Sequence, residues 1–342
     1  MKRSAVFGFL ILCLFFTPSA VNAQRGGRTQ GEPLEVRLAS PMPRNSDWGR
    51  SLDRIAAEWS RVTNNEVRLR VLHDGVEGTD QKVLSSLSSD NIQAALFSSF
   101  GLAEVCPSIM TLSVPFMIKN DAELDLVLRE AKPYLEAQAS KTNFAVVGWS
   151  KGGWVNVFSK EPVFIPDDLR RHRMATNPDS GDLNMAFKTM GFHLVETDMT
   201  DIAPRLANNM INAFYQTPAA VAPLGLYKTL KHMLDMPLAP FLGGIVINRV
   251  TWNKISPDRQ RELLRVTQVI VDEFDATMPR IAGSAVTMMS REGLTVNKPT
   301  PAQEEAWRTE LNKAIPTLLG TTFDREMYRR INVTLEKARS GQ

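Results

Sequence analysis

The sequence predicts an α/β protein of two domains, and three observations carry that reading. The chain has 342 residues, of which 43% are hydrophobic and 23% charged, enough for two cores of ordinary domain size. Its first hundred residues alternate stretches of period two with stretches of helical period, the β-α-β-α-β pattern of a sheet wrapped by helices. After Ser256-Pro257, helical spacing then persists to about Arg291, far beyond the average helix of a globular protein.

The elements follow in order. "LEVRLAS" (Leu34–Ser40) alternates apolar and polar residues as a strand does. Trp48, Leu52, Ile55, Trp59 and Val62 recur at spacings of four and three, a helix burying one face. "EVRLRVLHDG" returns to period two through Val67, Leu69 and Val71; a second helix carries Val83, Leu84 and Leu87, and "IQAALFSS" reads as a buried strand. "NFAVVGWS" and "WVNVFSK" are expected as two strands separated by the glycines, and "IPDDLRRHRMATN" as a turn and short helix leading into a strand. "SGDLNMAFKTMG" is a helix ended by Gly191, followed by a short strand at Phe192–Val195 and a helix in "TDIAPRLANNMI". "NAFYQT", "HMLDMP" and "LGGIVINRVTWNKI" read as strand-rich. The long helix places Leu263, Val266, Ile270, Phe274 and Met278 on one face, and two helices near 301–318 and 323–337 close the chain.

The amino terminus indicates the compartment. Lys2 and Arg3 precede the apolar run Ala5–Phe16, and Val21 and Ala23 form a small-x-small cleavage signal. Twelve apolar residues cannot span a bilayer that needs about 20, so residues 1–23 are expected to be a signal peptide cleaved after Ala23, with the mature chain in the periplasm. Gln24–Pro33 reads as a flexible leader. Of 40 basic and 37 acidic residues, the signal segment takes two basic ones, leaving 38 against 37 and a net charge of +1. That balance argues against a nucleic-acid surface. Cys106 alone remains after cleavage, which excludes an intramolecular disulfide.

Catalytic and metal motifs fail on inspection. "GWSKG" matches G-x-S-x-G around Ser150, but that motif needs a strand turning into a helix, and here the glycines lead into "WVNVF". His73, His172, His193 and His232 lack metal-ligand spacing and read as surface or loop residues. No Gly-rich phosphate loop follows a strand, and Cys106 in "EVCPS" has no basic neighbour to activate it. No catalytic residue, metal or cofactor is expected, and the chain is not expected to be an enzyme.

Several phrases together resemble one family. "DQKVLSSLSSDNIQAALFSS", "SIMTLSVPFMIKNDAELDLVL", "VFSKEPVFIPDDLRRHRM", "FKTMGFHLVETDMTDIAPRLANNMINAF" and "HMLDMPLAPFLGGIVINRVTWNKISPDRQREL" occur in order over about residues 34–291. They resemble the substrate-binding subunits of tripartite ATP-independent periplasmic (TRAP) transporters, the DctP-like family. The resemblance implies a two-domain periplasmic-binding-protein fold with a hinge and a long domain-spanning helix, closing over a ligand in the cleft. Domain I would hold residues 34–150 and 242–290 and domain II residues 151–241, with residues 291–342 packing across both. The solute would pass to membrane permease subunits.

Against that family, three departures stand out. The arginine that clamps the ligand carboxylate, whose planar fork makes two charge-assisted bonds, aligns with Ala175. Val155 stands where a second arginine is common, and Asn212 and Tyr215 replace two carboxylates. A cleft without its arginine hosts a carboxylate poorly, so an apolar or amphipathic ligand is expected. The expected lining is Met42, Trp48, Phe97, Ser98, Phe100, Trp154, Met174, Ala175, Tyr215 and Phe241, with Asn156, Asn177 and Gln216 as polar anchors. Phe214 belongs to the same apolar group. The lost arginine is also similar to a branch that works with a periplasmic tetratricopeptide-repeat protein, which implies such a partner here. Two alternatives stay open: a small organic acid held by Arg173 or Arg205, and an exported serine hydrolase using Ser150. Within "LRRHR", Arg170, Arg171 and His172 read as a solvated turn.

Overall fold

The computed structural model describes residues 32–341. The signal segment, its cleavage site and most of the leader lie outside the described residues.

The chain begins with β1 (Leu34–Ala39), α1 (Asp47–Val62), β2 (Val67–Leu72), α2 (Asp80–Ser88), β3 (Ala94–Ser98), α3 (Ser99–Ala103), α4 (Asp121–Ala139) and β4 (Phe144–Trp154). It continues through β5 (Asn156–Ser159), α5 (Pro166–Arg170), β6 (Arg173–Thr176), α6 (Gly181–Thr189), β7 (His193–Glu196), α7 (Ile202–Ala207), β8 (Ala213–Gln216), α8 (Pro218–Val221) and β9 (His232–Leu234). It ends with β10 (Pro240–Asn248), α9 (Arg249–Trp252), α10 (Pro257–Arg291), β11 (Thr295–Asn297), α11 (Pro301–Asn312), α12 (Ile315–Leu318) and α13 (Arg325–Ser340).

Two sheets organise these elements, in the orders β2-β1-β3-β10-β4 and β11-β9-β5-β8-β6-β7. The mixed α/β architecture and the 35-residue α10 are as expected from the sequence. The central strands β3, β5 and β10 are buried on both faces and read as near-continuous apolar runs, whereas β2 at the edge of the first sheet alternates buried and exposed residues. In β3, Ala94 and Leu96 face the core shared with α1 and α10, whereas Ala95 and Phe97 face the core shared with α4 and α13. In the second sheet Phe158, Ala175 and Phe214 share one core, and Val157, Met174 and Ala213 the other.

Three segments tie the sheets together. The chain crosses at Val155, between β4 and β5, and returns between β9 and β10. Helix α10 packs on the first sheet through Leu263, Val266 and Ile270 and on the second through Met289. The carboxyl-terminal segment lays α11 on the second sheet, where Trp307 Nε1–H donates to the Phe164 carbonyl at 3.0 Å. It then lays α13 on the first, where Arg339 donates to Glu123 and to the Met117 carbonyl, each at 2.8 Å.

Several local readings are corrected. β4 runs unbroken through Gly152-Gly153 to Trp154, so Ser150 lies inside a strand and not at an elbow. A bulge against β10 absorbs the glycines, and the strand break falls at Val155 instead. Arg249–Trp252 is helical because the Asn248 side chain caps it, accepting from Thr251 N. The 301–318 stretch is two helices, and β11 is an added edge strand. The basic turn is not wholly solvated either. Arg170 pairs with Asp167 and Glu310 and sits 5.0 Å from the Phe192 ring centroid, and His172 is buried with Nδ1 bonded to the Asp168 carbonyl at 2.9 Å. His73 is likewise buried, its Nε2 2.9 Å from Asp53.

Candidate functional site

In open α/β sheets the ligand crevice lies outside the carboxyl ends of the parallel strands. Here β1 pairs in parallel with β2 and β3, and β6 with β7 and β8. The loops that leave those strands therefore mark the candidate site.

On the first sheet these loops are knitted together. Ser40 is the anchor: its Oγ accepts from Met42 N at 3.1 Å and its carbonyl accepts from Gly75 N at 3.0 Å. Asp74 and Gly75 both adopt left-handed backbone, φ 65° and 67°, which turns the β2–α2 loop back over β1. Ala39, Ser40, Pro41, Gly75, Gly78 and Asp80 then line a shallow recess with room for little more than a water molecule. Ser98 closes its far side, donating to Asp80 Oδ2 at 3.4 Å while capping α3 by accepting from Phe100 N at 3.3 Å.

On the second sheet the loop after β6 is held from within. Thr176 Oγ1 donates to Asn184 Oδ1 at 2.7 Å, and Asn184 Nδ2 donates to the Asn177 carbonyl at 2.9 Å. The Asn177 side-chain oxygen accepts from Asp179 N, and the Gln216 side-chain oxygen accepts from Thr217 N, each at 2.8 Å. Both amide oxygens are thereby occupied, so the NH₂ groups are the ends left to offer; neither has a hydrogen-bond partner among the described residues.

Electrostatics show that these two sets of loops approach one another. Burial pushes the Asp80 carboxyl up to about 6, and the Asp179 charge adds to the rise. Asp179 is itself raised, first by burial and then by Asp198 and by Glu104 beside α3. Asp80 of the β2–α2 loop thus lies within reach of the charge of Asp179 in the loop after β6, and Asp179 within reach of that of Glu104, so the meeting of the two sets of loops is acidic. Among the described residues no His, Cys, Asp and Glu group is arranged to hold a metal ion.

The expected lining residues divide between crevice and cores. Ser98, Asn177 and Gln216 stand at strand ends on the crevice, with half-buried Phe100 just beyond Ser98. Phe241 and Trp154 sit at the crossover, where β10 pairs with the end of β4, and the Trp154 indole N–H donates to Asp121 at 2.8 Å. Met42 and Trp48 pack on the first core, the Trp48 ring 4.4 Å from Phe274. Phe97 is buried under the first sheet, and Met174, Ala175 and Phe214 belong to the second sheet's cores, with Tyr215 packed against one of them. Asn156 is buried with its amide donating to the Leu234 carbonyl at 3.0 Å. Asp80 and Asp179 were not among the residues expected. Each follows a capping or turn residue in a polar loop, "GTDQ" and "NPDSG", which reads as loop chemistry until the fold brings the two loops together.

The residues of the alternatives are engaged elsewhere. Arg173 donates to the carbonyls of Met210 and Asn209, at 3.2 and 2.5 Å, and Arg205 donates to the Glu196 carbonyl at 3.3 Å. Ser150 is buried and donates to Asp275 at 2.6 Å, with no histidine beside it to act as a base. Burial pushes the Cys106 thiol up to about 12, which leaves it inert.

Residues 38–319 match the family described as bacterial extracellular solute-binding protein, family 7 (DctP). The chain is 24% identical over 212 residues to the 2,3-diketo-L-gulonate-binding periplasmic protein YiaO of Escherichia coli K12, covering 60% of this chain and 63% of that protein. The matched stretch thus spans somewhat under two thirds of that relative's length. A TRAP periplasmic solute-binding protein from Ralstonia eutropha H16 with bound (S)-2-acetolactate superposes with a TM-score of 0.82, 17% identity and coverage of 89% of this chain and 99% of that one. The sugar acid binding protein of Advenella mimigardefordensis in complex with galactonate gives 0.82, 14%, 90% and 99%. These neighbours hold acids, and the expectation of an apolar or amphipathic ligand is corrected accordingly. The physical reason lies in where the side chains went: Phe97, Met174 and Ala175 fill cores, whereas Ser98, Asn177 and Gln216 stand at the carboxyl ends of β3, β6 and β8.

Proposed function

This chain belongs to the DctP family of bacterial extracellular solute-binding proteins, family 7, and from that membership we propose that it is a periplasmic TRAP-type binding protein for a hydroxylated monocarboxylic acid. The two sheets act as two domains that close over the acid and hand it to membrane permease subunits. One observation carries the choice of ligand: the side-chain oxygens of Asn177 and Gln216 accept from Asp179 N and Thr217 N, which leaves their amide NH₂ groups to donate, while Asp80 pairs with Ser98 on the loops of the first sheet. The ligand carboxylate takes the amide donors, and its hydroxyls donate to Asp80 and Asp179. Neutral donors then replace the missing arginine, at a lower strength per bond. The acetolactate- and galactonate-bound neighbours, which share the fold, support this class. A tetratricopeptide-repeat partner was implied only by resemblance to the branch that lacks the arginine, through Ala175, and the function proposed here does without it.

Calorimetric titration of the protein with galactonate, glucuronate and 2,3-diketo-L-gulonate, alongside succinate and octanoate, tests the proposal. At least one hydroxy acid is expected to bind in the micromolar range, and Asn177→Ala to weaken it about tenfold. Binding of octanoate with no response to any hydroxy acid would overturn it.

A further inference from the structure

The middle of α10 carries a buried carboxylate that the crevice does not use. Asp275 is 8% exposed. Its Oδ1 accepts from Ser150 Oγ at 2.6 Å and its Oδ2 accepts from the Lys151 backbone N–H at 2.9 Å. Both donors lie on β4 where that strand bulges against β10, at the step from Phe241 to Leu242. Two residues further on, Gly153 takes φ +98°, and a Cβ there would stand 3.2 Å from the Met278 methyl of α10. Four residues after Asp275 the helix carries Pro279, which has no N–H to bond the Asp275 carbonyl and so weakens the helix at that turn. The strand and the helix both pass from the first sheet to the second near this point.

We propose that Asp275 is the pin of an interdomain hinge: it fixes α10 to β4 where both leave the first sheet, and its ionisation sets how tightly the pin holds. The ionised carboxylate accepts both bonds with the added strength of a charged acceptor. The protonated acid must donate one proton, so Ser150 turns from donor to acceptor and the Lys151 amide loses its charged partner. The charged groups around it are few. From β4 comes the Lys151 ammonium, itself 2.5 Å from Asp125 of α4, and from α10 comes Asp272, which Gln268 also binds at 2.7 Å. Burial, the largest influence, pushes the Asp275 carboxyl up to about 7 against the lowering pull of Ser150 and Lys151. Because burial outweighs the two bonds, the pinned state holds the proton more tightly than an opened, solvated one, and the pin loosens as the medium turns alkaline through neutrality. Asp275 is a positioning residue that touches no ligand, so the inference stands or falls apart from the identity of the solute.

Hydrogen–deuterium exchange of the ligand-free chain at pH 6 and pH 8, with intrinsic rates divided out, reads the pin in peptides covering 148–154 and 272–282. The Lys151 amide is expected to exchange about five-fold faster at pH 8. Asp275→Asn keeps both contacts in the uncharged form, and its exchange is expected to be slow and equal at both values. Small-angle scattering of the same samples reads the hinge: the radius of gyration is expected to rise at pH 8 in the wild type and to be pH-independent in the variant. Ser150→Ala retains the carboxylate and one bond, so it should keep a pH response of the same sign even where Asp275→Asn fails to fold. A wild type that is flat between the two values, a response that survives in Asp275→Asn, or exchange that changes while the scattering does not would each overturn the proposal.

Discussion

Replacing Asp80 by Asn should stabilise the protein, and the pH dependence of the gain tests the acidic crevice directly. The carboxyl stands at about 6 in the folded chain against an ordinary 3.8. Because the folded value is the higher one, the folded state is favoured fully below the ordinary value and loses that advantage as pH rises through about 6. Above both values the loss amounts to about 3 kcal/mol, and at pH 4.5 to about 1 kcal/mol. Asn keeps an oxygen for the Ser98 hydroxyl and carries no charge, so it escapes the penalty. At roughly 2 °C per kcal/mol for a chain of this size, the variant should melt about 6 °C higher at pH 7.5 and about 2 °C higher at pH 4.5. Thermal melts followed by circular dichroism at the two values measure both numbers. An equal gain at both, or a loss at pH 7.5, would refute the reasoning. The same variant should bind the proposed hydroxy acid about tenfold more weakly, since a charged acceptor is lost. Stability and affinity then move in opposite directions, as expected of a strained binding group.

Two further outcomes follow from the same geometry. Trp307→Ala removes a side chain that is 1% exposed and its bond to the Phe164 carbonyl, and should cost about 3–5 kcal/mol in chemical denaturation; a cost under about 1 kcal/mol would mean that α11 does not hold the second sheet. Arg173→Ala should leave hydroxy-acid affinity unchanged by calorimetry, because its guanidinium already serves two backbone carbonyls; loss of binding would restore it as a substitute clamp.

The fold was legible wherever periodicity was clean. Val36, Leu38 and the helix of Leu52, Ile55 and Trp59 read directly, because one face of each is buried and the other is wet. The same logic would have found α4, which escaped notice although Leu124, Val127, Ala131 and Leu135 keep helical spacing behind an Asn120 cap. Gly152-Gly153 looked like a strand break because glycine usually punctuates a strand; pairing with β10 carried β4 through it as a bulge. The site was less legible. Asn177 and Gln216 announce themselves as polar residues at strand ends, but Asp80 and Asp179 lie about a hundred positions apart and acquire meaning only when two sheets face one another. Apolar residues near those ends misled for the opposite reason: in strands buried on both faces, Phe97 and Met174 belong to cores.

Ala175 looked informative because an arginine was expected there, and the inference drawn from its absence was that the ligand lacks a carboxylate. The structure separates those two steps. Ala175 is fully buried against Phe158 and Phe214, so the position does not describe the surface that a ligand meets. The ligand's charge is better argued from everything that faces the crevice. Two carboxylates already repel across it, and a dicarboxylate would add a second uncompensated charge, at a cost of several kcal/mol when desolvated. A single carboxylate on neutral amides, with hydroxyls returned to Asp80 and Asp179, satisfies each group once. On the function proposed above, Ala175 therefore restricts how many charges the solute carries and leaves room for it to be an acid.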